Sequence, residues 1–138
     1  MCSGGSINTP DTCKDKCGDG KNVQDNFPGY CDDGNAVNGD GCTADCHTEV
    51  GWNCGGGDVA NPDICVSICE DGIKTSAEEC DDGGIPTPGN CDGCSSTCKI
   101  EPGFTCSGTP SVCHNICGDG LLVKGEICDD GNKVSGDG

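Results

Sequence analysis

No window of this chain carries the i, i+3, i+4 apolar pattern of a helix. Short stretches at residues 20–23, 73–75 and 121–123 each follow an Asp-Gly pair, itself a turn signal, and predict three short strands. Gly51-Trp52-Asn53-Cys54 and Gly103-Phe104-Thr105-Cys106 read as strand ends, each with one aromatic ring packed on a disulfide. The expected fold class is a set of small disulfide-rich tandem repeats with little regular secondary structure. Short β-hairpins and turns would follow one another along an elongated array, each unit touching mainly its neighbours.

The pattern repeats, and cysteine sets the register. One unit runs through Cys17, Cys31, Cys42, Cys46, Cys54 and Cys65. The next runs through Cys69, Cys80, Cys94, Cys98, Cys106 and Cys113, and a third starts with Cys117 and Cys128. Cys2 and Cys13 match the last two cysteines of a unit. The intervening residues agree: Cys17-Gly-Asp-Gly with Cys69-Glu-Asp-Gly and Cys117-Gly-Asp-Gly, and Cys31-Asp-Asp-Gly with Cys80-Asp-Asp-Gly and Cys128-Asp-Asp-Gly. Glu49-Val-Gly-Trp-Asn-Cys54 matches Glu101-Pro-Gly-Phe-Thr-Cys106. The organisation is therefore 1–16, the end of a preceding repeat; 17–68, a complete six-cysteine repeat; 69–116, a complete repeat with one additional cysteine, Cys91; and 117–138, a truncated repeat. Both ends fall inside repeats, so a longer natural protein is expected.

Composition explains why staples are needed. The chain has 17 cysteines in 138 residues, 32% hydrophobic residues with cysteine counted, and 25 glycines. Its aromatics are Phe27, Tyr30, Trp52 and Phe104. Such a chain buries too little apolar surface to offset its ordering entropy. A disulfide closing a loop of ~15 residues contributes roughly 3 kcal/mol by restricting the unfolded chain. Cysteine at this density implies an oxidising compartment, extracellular or cell-surface. No stretch is apolar for long enough to span a membrane. The net charge of −17, with lysine as the only basic residue besides two histidines, argues against nucleic acid as a partner.

The succession Cys-Gly-Asp-Gly, Cys-Asp-Asp-Gly-Asn, Gly-Asp-Gly-Cys-x-x-x-Cys and Glu-x-Gly-aromatic-x-Cys resembles the cysteine-rich repeat of myxobacterial surface proteins. The same repeat is abundant in large secreted proteins of ciliates and other protists, and related Asp-Asp-Gly-Asn segments occur in the pappalysin metalloproteases. The resemblance covers essentially the whole chain. It implies a long extracellular multi-repeat protein. The second repeat departs from the pattern at Gly84, where Asn is usual, and at Cys91, where Gly is usual.

Each repeat gathers hard oxygen donors of the kind Ca²⁺ takes in sets of six to eight. In the first these are Asp19, Asp32, Asp33, Asn35 and Asp40; in the second Asp71, Asp81, Asp82 and Asp92; in the third Asp119, Asp129, Asp130, Asn132 and Asp137. The spacing differs from an EF-hand. Asp-Gly and Asn-Gly also serve as ordinary turn residues, but a turn needs only one acid where this chain has two. Calcium is accordingly expected as a stabiliser, most weakly in the second repeat, which lacks the Asn.

Catalytic chemistry has little to work with. His47 and His114 each follow a cysteine but occupy different repeat positions, so they read as exposed loop residues. Cys91-Asp-Gly-Cys94 is a Cys-x-x-Cys, yet Cys94 belongs to the framework. Cys91 is then an additional cysteine and a candidate cross-link to another chain or repeat. The remaining cysteines are assigned to disulfides, with Cys2–Cys13, Cys54–Cys65 and Cys106–Cys113 as natural local pairs and the other pairings open. Thr9, Thr87 and Thr109 precede proline and are candidate O-glycan sites. The chain reads as a non-enzymatic structural or adhesive segment of a surface, matrix or filament protein, with copies of itself or other extracellular proteins as partners. The alternative is an accessory binding segment of a large secreted enzyme such as a metalloprotease.

Overall fold

The computed structural model describes residues 16–23, 28–84 and 92–134, together with the backbone of residues 2–3 and 12–13. The chain divides into two compact units, Met1–Ser67 and Ile68–Gly138. Regular structure among the described residues consists of three two-stranded antiparallel hairpins. These are β1 (Cys2–Ser3) with β2 (Thr12–Cys13), β3 (Trp52–Gly55) with β4 (Ile64–Ser67), and β5 (Phe104–Ser107) with β6 (Val112–Asn115). Cys2 stands opposite Cys13, Cys54 opposite Cys65, and Cys106 opposite Cys113.

The disulfides follow one rule in both complete repeats. The first cysteine pairs with the fourth (Cys17–Cys46, Cys69–Cys98) and the second with the third (Cys31–Cys42, Cys80–Cys94). The fifth and sixth close the hairpins as the sequence suggested, Cys54–Cys65 and Cys106–Cys113. Sulfur forms the interior: the buried apolar residues are Cys31, Cys42 and Cys46 in the first unit and Cys80, Cys94 and Cys98 in the second. The third repeat departs from the expected pairing. Cys117 and Cys128 are exposed free thiols, because residues 117–138 contain no counterpart of Cys42 or Cys46. Cys91 lies outside the described residues.

The aromatic of each of the two longer hairpins, Trp52 of β3 and Phe104 of β5, packs beside its disulfide, as expected. A Cβ placed on Gly41 would meet Cys65 and, at 2.9 Å, Trp52. One placed on Gly93 would meet Cys113 at 2.5 Å and Phe104 at 2.8 Å. Only glycine leaves room for the ring and the bridge, and both positions have positive φ (118° and 100°).

The strands expected at 20–23, 73–75 and 121–123 are not formed; these stretches are irregular. Their amides go to side-chain carboxylates instead of a partner strand. Gly20 donates to Asp32, Ile73 to Asp71, Thr75 to Glu78, Leu121 to Asp119 and Val123 to Glu126. An amide held by a local carboxylate is unavailable to a ladder, which is how Asp and Glu near turns compete with sheet formation.

Each long hairpin returns its tip to the Asp-Asp-Gly turn of its own repeat. The Asp63 N–H donates to the Asp32 carbonyl at 2.7 Å, and Asp63 Oδ2 accepts the Asp32 N–H at 2.9 Å. Ser111 does the same for Asp81, its N–H donating at 2.6 Å and its Oγ accepting at 3.0 Å. The preceding proline covers the turn glycines: a Cβ on Gly20 would meet Pro62, and one on Gly72 would meet Pro110, each at 3.6 Å. This clasp joins the hairpin to the disulfide knot, and no sheet is shared between them.

Candidate functional site

The acidic residues of each repeat separate into an inner and an outer set. The inner residue is the first acid of Cys-Asp-Asp-Gly. Asp32 is fully buried, and its carboxylate accepts N–H groups from Gly18 (3.0 Å), Gly20 (2.9 Å) and Gly34 (3.0 Å). Asp81, also fully buried, accepts from Asp71 (3.3 Å), Gly72 (2.9 Å) and Gly83 (2.9 Å). Asp129 accepts from Gly118 (2.7 Å), Asp119 (3.2 Å), Gly120 (2.8 Å) and Gly131 (2.8 Å). These donors, Gly131 first among them, hold the Asp129 carboxyl below its usual range. The same three-turn nest recurs in every repeat, and its lone pairs are directed at backbone amides.

The outer set differs between repeats. Asp33 and Asp40 of the first repeat lie on either side of Asn35, whose Nδ2 donates to Asp33 Oδ2 at 3.1 Å and to Asp40 Oδ2 at 2.9 Å. Asn35 Oδ1 accepts the Val37 N–H at 2.6 Å, which sets the orientation of the amide. A neutral amide thus stands where the sequence suggested a cation. Burial first, and then the charges of Asp40 and Asp32, push the Asp33 carboxyl above its usual range. In the third repeat Asn132 Oδ1 accepts the Val134 N–H in the same way, and the Asn132 backbone N–H donates to Asp130. Asp82 accepts from Gly84 at 3.1 Å, and Asp92 is half-buried. Asp71 and Asp119 each close an Asx turn, while Asp19 is exposed. Asp137 lies outside the described residues.

Several working carboxylates were hidden in the sequence as mere register markers. Glu49 takes the amides of Gly39 and Gly41, and Glu101 that of Gly93, so the Glu of Glu-x-Gly-aromatic braces the loop before the third cysteine. Glu78 is 6% exposed, and its Oε2 accepts the Thr75 N–H at 2.9 Å. Glu126 repeats that contact with Val123 at 3.3 Å. The shared signal is a Glu two residues before Cys80 and Cys128; the first repeat has Gly29 there.

Nothing among the described residues assembles a nucleophile with its base. His47 is exposed beside the Asp45 carbonyl, and His114 is exposed on β6. The first unit has a polar cleft of about 360 Å³ whose lining includes Asn22, Tyr30, Thr48, Asn53 and Asp63. Its one carboxylate is already engaged by Asn22 Nδ2 and by the amides of Asp32 and Gly57. Such a cleft offers hydrogen bonds and no reactive group. Of the candidate glycan sites, Thr109 is exposed at a hairpin tip, and Thr9 and Thr87 lie outside the described residues. No helix of the described residues is long and apolar enough to cross a membrane.

Comparison with known proteins agrees with a cysteine-rich repeat related to pappalysin segments. Pappalysin-1 of Homo sapiens is 38% identical over 78 residues and that of Mus musculus 40% identical over 78 residues. Each alignment covers 52% of this chain but only 4% of the relative, so the chain spans a small fraction of the curated proteins it matches. Two segments, residues 50–99 and 101–138, match the family described as "Domain of unknown function (DUF4215)". Each match starts near a hairpin and runs through the following Cys-Asp-Asp-Gly turn, and the chain belongs to that family.

Proposed function

We propose that this chain is a non-catalytic segment of a larger extracellular protein, a series of disulfide-built units with a structural or adhesive role. One observation carries the reading. In both complete repeats the interior is spent on holding the turn together: two disulfides accompany a fully buried aspartate, Asp32 or Asp81, whose oxygens face backbone amides. What the units present outward is hairpin surface, including Ile64 and Val66 of β4 and Val112 of β6, all more than half exposed. Six disulfides of this kind support an oxidising, extracellular setting.

A second reading is an accessory binding segment of a large secreted enzyme, favoured by the match to Pappalysin-1. A catalytic domain in the same polypeptide would favour it over the first. The test is self-association and cell adhesion of the oxidised chain, followed by sedimentation and by attachment to a coated surface. Association or adhesion that disappears on reduction is the expected result. A strictly monomeric chain to which no cells attach would overturn the structural and adhesive reading.

A further inference from the structure

Among the described residues, Glu78 is the one acid nine-tenths buried that the turn nests leave half satisfied. Its Oε2 takes the Thr75 N–H, but Oε1 is buried with no hydrogen-bond partner. A carboxylate oxygen of Glu78 lies within 4.8 Å of one of Asp81 and of Cys98 Sγ. Cys98 is bonded to Cys69, so its sulfur forms a wall of the site and offers no thiolate. Thr75, 8% exposed, brings a second buried oxygen without a partner, Oγ1. Asp81 itself is fully buried, and its Oδ2 has only a long bond from the Asp71 amide at 3.3 Å.

Two carboxylates this close in a buried interior repel each other unless a cation or a proton lies between them. The nearby lysines are at the surface: Lys99 is exposed and engaged with Glu79 at 3.1 Å, and Lys74, next to Thr75 in the chain, is exposed. Carboxylate oxygens up to 4.8 Å apart both reach a cation that binds oxygen at about 2.3–2.6 Å. We infer that Glu78, Asp81 and Thr75 form a buried site for a hard divalent cation, Ca²⁺, in the second repeat. The site stands apart from the exposed Asp and Asn positions. In the third repeat Glu126 Oε1 is also buried without a partner, but Val123 stands in the place of Thr75 and brings no oxygen. The first repeat, with Gly29 in that place, has none. The repeat that lacks the outer Asn is therefore the one that binds.

Calcium titration of the oxidised chain, by calorimetry and thermal unfolding, tests this. Wild type should bind and gain melting temperature. Glu78→Gln should remove one site from the stoichiometry, and Thr75→Val should weaken it by about tenfold, the scale for losing one supporting oxygen. Thr75→Val keeps the test open should Glu78→Gln not fold. No heat and no thermal shift in wild type at millimolar Ca²⁺ would overturn the inference. So would unchanged binding in both variants, or a Glu78→Gln protein more stable than wild type and indifferent to calcium. That last result means that a proton holds the carboxyl pair.

Discussion

Replacing Asp32 by Asn isolates the role of the inner acid with almost no change of shape. In the native turn, Oδ1 accepts from Gly20 and Gly34, and Oδ2 accepts from Gly18. Asparagine keeps one carbonyl oxygen for the first two amides and turns an NH₂ toward the third. The Gly18 N–H then faces a donor and loses its partner, which costs about 1–3 kcal/mol. The two surviving bonds lose their charge assistance, about 1 kcal/mol each. Removing a buried charge gives some of this back, leaving a net destabilisation of about 2–4 kcal/mol. Trp52, the only tryptophan, sits at the start of β3 in the same repeat and reports on it directly. Urea unfolding followed by its fluorescence, with the disulfides intact, should show a clearly lowered midpoint. Asp33→Asn is the control: burial and the charge of Asp40 already disfavour its charged form in the fold, and the change should cost less than about 1 kcal/mol. Equal midpoints for wild type and Asp32→Asn would refute the view that the amide nest organises the turn.

Gly41→Ala should cost about 2–4 kcal/mol through overpacking against Trp52 and Cys65 plus a left-handed φ, whereas Gly39→Ala, open on all sides, should cost about 1 kcal/mol by chemical denaturation. Peptide mapping without reduction should return Cys17–Cys46 and Cys31–Cys42 nested within one fragment, with Cys117 and Cys128 alkylated; any pairing of Cys31 with Cys46 would contradict the fold. Acid should loosen the third turn. The Asp129 carboxyl is held low in the folded state, so its contribution is present above the unfolded value and is lost as pH falls through the folded one. Amide exchange at Gly118, Gly120 and Gly131 should accelerate over that acidic range. Asp33 acts in the opposite sense, because its raised value means that the charged form costs stability above it and protonation relieves that cost.

Spacing made the hairpins legible: Cys54–Cys65 and Cys106–Cys113 are near in sequence, each preceded by Gly-aromatic, and nothing else lies between them to compete. The nested pairs were not legible, because four cysteines in one knot admit three connectivities and choosing among them needs the path of the chain between. Composition likewise revealed the acidic core but not its division. Asp32 and Asp33 are identical letters, and only the direction of the Gly18, Gly20 and Gly34 amides makes one interior and the other outward. The strands expected at 73–75 and 121–123 failed for a related reason. Their amides are claimed by Glu78 and Glu126 from three residues away, a contact that a β-forming composition does not reveal.

The hairpin clasp uncouples loop length from loop position. Eight residues join β3 to β4 and four join β5 to β6, yet Asp63 and Ser111 bring both excursions back to the same two backbone groups of the turn. Chain between the strand end and the clasp is then free to lengthen, shorten or change its chemistry without touching the knot. Val59 and Ala60, both exposed at the tip of the longer loop, sit in that free stretch. Each repeat is a frame with an exchangeable insert. A gene built from many such units can alter what it displays, one loop at a time, while every unit folds by the same rule.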